Sequence, residues 1–380
     1  MFASQTNIKI PRQDGFERSK SGYTLLDLSF CGIINHRLRF RFVTGGFVMQ
    51  KSRIYLWDNL RFALILLVVV GHFISQYLSS PSFKGLWLFI YSFHMPLFIF
   101  ISGCFHKNTN VASKVVSYVA IGAIYKIIVF LTREFIDQSP KFELFSEGGA
   151  PWYMFAMAAF ILLTYLLRNL NLKYILVIWL IVACFAGYDP KVSQFLSLSR
   201  IIVFYPFYLL GVLSNKEKLL GYAKNKWLKS AGIAVVVGWL VLCVVFGTKL
   251  WPLNDLFAGE NPFNDRFYDM GALWRLLCFA LSAVLCYAFV CAAPTRKIPL
   301  VSAIGTRTLQ IYFWHRPLLY VLYKHEIPVL LCATAGGKAI YLLLAVAVTL
   351  VLAFKLFSFP TAQIIKYAQS QKGQDESLTK

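Results

Sequence analysis

Apolar runs of about 20 residues recur along most of the chain, separated by short polar segments. Ten are readable: roughly 55–78, 86–105, 113–131, 151–168, 173–188, 199–214, 229–247, 271–293, 304–323 and 337–357. A run of that length crosses a bilayer as a helix. Backbone groups in hydrocarbon must be satisfied internally, so the runs predict helices and not strands. The fold class expected is an all-α integral membrane protein with about ten transmembrane helices. The runs at 173–188 and 199–214 are short for a full crossing. A further apolar stretch at 327–335 either extends the ninth helix or re-enters the membrane. This pattern sets three regions: a tail at 1–53, a multi-span domain at 54–357 and a tail at 358–380.

Composition agrees with that solvent. The chain is 58% hydrophobic and 14% charged, with a mean hydropathy of +0.61, where soluble domains carry about 25% charge. A net charge of +21 raises nucleic acid as a partner, but the distribution of the charge removes it. With ten spans and both termini cytoplasmic, the cytoplasmic segments carry 25 Lys and Arg and the external loops eight, beside ten acidic residues. That is the positive-inside bias of a polytopic protein, so the basic charge sets orientation. The eight cysteines include no CxxC pair and predict neither disulfides nor a zinc site. Residues 1–53 are basic, mixed in pattern and not a signal peptide. They read as a flexible tail, and a start at Met49 would leave the membrane domain intact.

Ionisable groups inside spans are the candidate chemistry. "DNLRFALILLVVVGHFISQYLSS" (58–80) holds Arg61 and His72. Eleven residues make about three turns, so the two share a helix face about 16 Å apart along the axis. In the second span, "LWLFIYSFHMPLFIFISGCF" (86–105), His94 comes level with His72, and Ser102-Gly103 comes level with Arg61. Pro96 kinks that helix or frees carbonyls in it. Arg200 and Arg275 lie near the external ends of the sixth and eighth spans, and Lys126 lies in the outer half of the third. Bland readings stand beside each of these. Arg61, Lys126, Arg200 and Arg275 are snorkelling anchors, His72 is a structural histidine, and Ser102-Gly103 lets helices pack closely.

"LRFALILLVVVGH" followed by "FHMPLFIFISGCF" resembles the opening of the membrane-bound acyltransferase family 3, and within it the fucose 4-O-acetylase-like branch. Three further stretches match in order. They are "PWYMFAMAAF" (151–160, with Trp152), "SLSRIIVFYPFYLLGVL" (197–213, with Arg200) and "IGTRTLQIYFWHRPLL" (304–319, with His315). The resemblance covers about 54–357 and implies a multi-pass protein of the bacterial inner (cytoplasmic) membrane. It implies acetyl transfer from cytoplasmic acyl-CoA to a hydroxyl of a sugar or cell-surface glycan. One departure is plain. Where many members carry an arginine-rich run entering the third span, this chain has "HKNTNVASKVVSYV", with only His106, Lys107 and Lys114. A lysine meets a phosphate as a point charge, without the guanidinium fork.

Acyl transfer needs a base for the hydroxyl proton, a donor for the developing oxyanion and a cationic dock for the phosphates of coenzyme A. His72 is the expected base, as the resemblance also implies, with His94 the second candidate. Arg61, Ser102, Gly103, Lys107 and Lys114 are expected on the donor side. Lys126, Trp152, Arg200, Arg275 and His315 are expected toward a sugar, glycan or lipid-linked sugar. Ser102 has no adjacent base and is read as positioning, not as a nucleophile. Acetyl-CoA is a co-substrate; no tightly bound cofactor or metal is expected. Two other classes stay open: a secondary transporter, which would more often show an internal repeat, and a non-enzymatic assembly subunit.

The charge distribution makes one prediction. Topology reporters fused after Lys380 and within 248–270 should give opposite signals, with the C-terminus cytoplasmic. An external C-terminus would overturn the orientation and the cytoplasmic donor with it.

Overall fold

A computed structural model describes residues 53–367, except 137–139, 143–148, 193–194 and 260–261, together with three short strands nearer the N-terminus. The chain divides into two units, Met1–Ile54 and Tyr55–Lys380. In the first, β1 (Leu25–Leu26), β2 (Phe40–Val43) and β3 (Gly46–Met49) form an antiparallel sheet in the order β1-β2-β3. Val43 pairs with Gly46 and Phe40 with Met49. The sequence reading gave this region as a flexible tail and did not expect these strands. The sequence signal is the alternation in "RFRFV" (39–43), a strand period of two. The remaining reading of 1–48 as a dispensable tail, and of the segment beyond residue 367, lies outside the described residues.

The second unit is helical. Its helices are α1 (Tyr55–Ile74), α2 (Pro81–Tyr91), α3 (His94–Cys104), α4 (Val111–Phe135), α5 (Trp152–Leu166), α6 (Leu172–Phe185), α7 (Leu198–Leu213) and α8 (Lys216–Lys224). They continue with α9 (Lys226–Leu250), α10 (Asn254–Ala258), α11 (Gly271–Ala292), α12 (Pro299–Ile304), α13 (Thr308–Lys324), α14 (Ile327–Cys332) and α15 (Ala335–Leu352). A helix stands at each of the ten predicted runs. Among the described residues six segments are long and apolar enough to cross a membrane, or seven if α7 and α8, bent by 85°, count as one. α5, α6, α7 and α13 are shorter, at 15, 14, 16 and 17 residues. The stretch at 327–335 does not extend the ninth helix: α14 begins after a break at Glu326, whose φ is +52°.

Prolines shape the interior. The predicted span at 86–105 is interrupted at Ser92-Phe93, so that α2 and α3 are separate helices. Pro96 has no N–H to offer the carbonyl four residues back, that of Ser92. Ser282 of α11 donates its hydroxyl to that carbonyl at 2.5 Å. The same substitution recurs on α7. Pro206 leaves the Ile202 carbonyl without its helical partner, and the Trp179 indole N–H of α6 donates to it at 3.1 Å. Both freed carbonyls are thus taken up by side chains of neighbouring helices.

Close backbone approach does the rest. Gly103 of α3 and Gly211 of α7 face each other. A Cβ on Gly103 would overlap the Tyr208 carbonyl oxygen, and one on Gly211 the Phe100 carbonyl oxygen. Small residues at a helix crossing let two backbones meet where no hydrophobic force from water drives association. At the start of α1, the Asn59 amide donates to the carbonyls of Pro294 (2.8 Å) and Arg296 (2.9 Å), and its oxygen accepts from Ser302. At the start of α13, the Gln310 amide donates to the carbonyls of Leu352 and Phe354 at the end of α15. These ties hold α1 and α13, the two helices that carry His72 and His315, in fixed register.

Gly103→Val should therefore lower stability by about 1–3 kcal/mol or more, since overpacking here displaces backbone. Gly221→Ala on α8, where an added Cβ meets nothing within 4 Å, should be neutral or stabilising by up to about 1 kcal/mol. Unfolding of the two variants in the same detergent checks the pair. Equal stability would remove the α3–α7 crossing as a fixed point of the fold.

Candidate active site

α1, α3, α5 and α13 surround two cavities that meet at a common wall. The first encloses about 200 Å³ and is lined by Arg61, Ser102, Tyr118 of α4, Tyr153 of α5 and Thr308 among others. The second encloses about 280 Å³ and is lined by His72, His94, Trp87, Tyr91, Trp152, Arg200 and Arg316 among others. Val68, Met95 and Tyr312 line both and form the wall between them. The two polar depths expected on α1 and on the second span are therefore real places. Arg61 and Ser102 share one cavity, and His72 and His94 share the other.

Each histidine is oriented differently. The His94 Nδ1 lies 2.8 Å from the Ile90 carbonyl. A carbonyl only accepts, so Nδ1 carries the proton and Nε2 of the neutral ring keeps its lone pair. The break before Pro96 ends α2 next to His94 and leaves the Ile90 carbonyl within reach of the ring. His315 is set the same way, with Nδ1 at 2.7 Å from the Tyr312 carbonyl and Nε2 buried without a hydrogen-bond partner. It does not line either cavity. Its ring stacks behind His72 at 5.1 Å between centroids. The His72 Nδ1 is 3.4 Å from the Tyr91 hydroxyl, and Tyr91 itself stacks on Trp87 at 3.7 Å. When Nδ1–H of His72 donates to Tyr91, its Nε2 is left as a base.

At the Arg61 cavity, the Ser102 hydroxyl donates to the Phe98 carbonyl at 2.9 Å and sits 3.4 Å from the Tyr153 hydroxyl. No histidine shares its cavity. Arg61 and Lys216 of α8 each stand 4.8 Å from the Phe105 ring, so one ring meets two cations. Lys114 donates to the Lys107 carbonyl at 2.9 Å in the connection from α3 to α4. In the same connection His106 Nε2 donates to the Asn108 side-chain oxygen, and Nδ1 accepts from the Tyr208 hydroxyl. Partial burial holds the His106 pKa below the usual histidine value, and the neighbouring Lys114 charge adds to that.

The other expected residues are distributed. Trp152 and Arg200 come to the His72 cavity, with the Arg200 guanidinium 5.0 Å from the Trp152 ring. Gly103 lies at the α3–α7 crossing and lines neither cavity. Lys126 stands over Phe142 at 5.9 Å, away from both cavities. Arg275 is 1% exposed, over Phe263 at 4.9 Å, and lines neither cavity. Arg316, Tyr91 and Tyr118 line the cavities without having been singled out from the sequence. Arg316 was the readable one, as a charge inside a predicted span directly after His315.

The acyltransferase domain of the acyltransferase 3 family matches residues 54–359. The chain belongs to that family. It is an acyltransferase and, with its six or more apolar helices, a multi-pass membrane protein. A curated relative, nodulation protein NolL of Sinorhizobium fredii (strain NBRC 101917 / NGR234), is 26% identical over 293 residues. The match covers 69% of this chain and 77% of NolL. No solved structure matches.

Ser102 has no base and a hydroxyl already committed to a carbonyl, so no acyl-serine should form. Mass spectrometry of protein incubated with labelled acyl-CoA and quenched should find residue 102 unmodified. A labelled Ser102 would make it the nucleophile.

Proposed function

We propose that this acyltransferase moves an acetyl or similar short acyl group from cytoplasmic acyl-CoA to a hydroxyl of a sugar or cell-surface glycan at the inner membrane of a bacterium, with about ten spans and both termini cytoplasmic. The observation that carries the reading is the pair of cavities meeting at Val68, Met95 and Tyr312, one with Arg61 and the other with His72 and His94. Two substrates of different character fit two such chambers. The resemblance of its motifs to the fucose 4-O-acetylase-like branch favours a sugar hydroxyl as acceptor.

In this reading coenzyme A enters by the Arg61 side. Lys107, Lys114 and Lys216 lie at or near the ends of helices there and meet its phosphates as point charges. The pantetheine arm runs along α1 and brings the thioester to the wall between the cavities. The acceptor hydroxyl lies in the other cavity beside His72. Nε2 of His72 removes the hydroxyl proton as the oxygen attacks the thioester carbonyl. The tetrahedral intermediate collapses with cleavage of the C–S bond, and the imidazolium returns the proton to the departing thiolate. No covalent enzyme intermediate is needed. His94, with its tautomer fixed by Ile90, orients the hydroxyl or serves as a second base. Holding both reactants at one wall converts a bimolecular encounter into a local one, which is a large share of what such sites supply.

His72→Ala should lower transfer from labelled acetyl-CoA by about 10²–10⁴-fold and leave coenzyme A binding, read by calorimetry, nearly intact. Arg61→Ala should weaken donor binding, and Arg61→Lys should not restore it, because a point charge lacks the planar fork. Substantial turnover by His72→Ala would move the base to His94. Normal binding and turnover by Arg61→Ala would leave Arg61 as an interfacial anchor only.

A further inference from the structure

The turn from α7 to α9 carries charge that neither cavity uses. Residues 215–230 hold five lysines and one acid, Glu217. Two asparagines shape this stretch. Asn215 accepts from the backbone N–H groups of Glu217 and Lys218 and starts α8. Asn225 accepts from those of Trp227 and Leu228 and starts α9. α8 leaves α7 at 85°, so it runs across the end of the bundle and not along it. Four of its nine residues are charged, which closes hydrocarbon to it.

α8 has two sides. Leu219 and Ala223, one turn apart, are buried, and the helix packs on α9 and α11. Lys216 turns inward over the Phe105 ring. Lys218, Tyr222 and Lys224 are exposed, and Lys226 and Trp227 continue that exposed surface into α9. Trp227 is 86% exposed at the first turn of an apolar helix of 25 residues. A tryptophan in that position belongs to the membrane–water boundary, where its ring sits at headgroup level. More charge lies at the same end. The start of α9 meets the end of α11, where a Cβ on Gly232 would overlap the Ala288 carbonyl oxygen. Arg296 and Lys297, just past the end of α11, are exposed.

A short helix across a bundle end, with outward lysines beside an exposed tryptophan, matches an anionic lipid surface. Lysine suits that partner. Its compact charge on a flexible stem follows a headgroup without needing a fixed geometry, and the stem itself lies along apolar surface. A zwitterionic headgroup, with its own cation, gains far less from such a cluster.

We propose that α8 and the first turn of α9 form a docking surface for anionic phospholipid, with Lys218, Lys224 and Lys226 on the headgroup and Trp227 at the acyl boundary.

The test strips lipid from the purified full chain in neutral detergent. It then titrates the protein with phosphatidylglycerol and with phosphatidylcholine of the same acyl chains, and native mass spectrometry reads the bound lipid. Phosphatidylglycerol should bind about tenfold or more tighter, and the gap should narrow as salt is raised. The combined variant Lys218→Gln, Lys224→Gln and Lys226→Gln should lose most of the preference. Lys249→Gln, the same change of charge at the opposite end of α9, should keep it. Trp227→Ala should weaken both lipids alike. Should the combined variant fail to fold, Lys226→Gln alone, at an exposed position, should show a partial loss. Equal binding of the two lipids, or lysine variants with the wild-type preference, would overturn the surface. An equal loss in Lys249→Gln would reduce it to net charge and overturn it as well. So would displacement of phosphatidylglycerol by coenzyme A, which would assign these lysines to the donor. No acyl transfer is read, so either result leaves the function proposed above standing.

Discussion

A backbone carbonyl in hydrocarbon has no water to turn to, and the architecture around the two cavities follows from that. A proline inside an apolar helix removes one N–H and strands one carbonyl. Here the stranded carbonyls of Ser92 and Ile202 are met by Ser282 and Trp179, so the break before Pro96 and the proline inside α7 are both held by specific partners. The first break is what gives the site its form. It separates α2 from α3, sets the His94 ring against the Ile90 carbonyl and lets Tyr91 reach His72 from one side while His315 stacks from another. A continuous helix through 92–93 would carry the same side chains at a helical spacing and could not place them so.

Fixed termini complement flexible-looking interruptions. The Asn59 amide bridges three groups of the α11–α12 connection and α12, and Gln310 closes the open carbonyl end of α15. Such buried hydrogen bonds are worth about 0.6–2 kcal/mol each in membrane proteins. Their larger effect is on register: α1 and α13 cannot slide without leaving several polar groups unpaired. His72 and His315, one on each of these helices, keep their ring spacing for that reason.

Much of this was legible in the residues. Charge inside an apolar run is rare enough that Arg61, His72 and His94 stood out at once, and the eleven-residue spacing placed Arg61 and His72 on one face correctly. Pro96 announced the break. Other features depended on which helices become neighbours, and one chain's pattern does not give that. Gly103 reads equally as a ligand-facing and a packing glycine until α7 is known to lie against it. His315 looked like a residue that faces a substrate, but its direction depends on the rotation of α13, which places it behind His72. Arg316, inside the predicted ninth span, was given no site role, and only the cavity shows it turned inward. The strands before residue 50 were missed because an apolar alternation of five residues is faint beside runs of twenty.

The lining that the two cavities share has a consequence for substitution. Val68, Met95 and Tyr312 belong to both chambers. Two of the three are apolar, and the phenol of Tyr312 is tied to the Ala150 carbonyl. A change of side-chain volume at any one of the three thus reshapes both chambers at once.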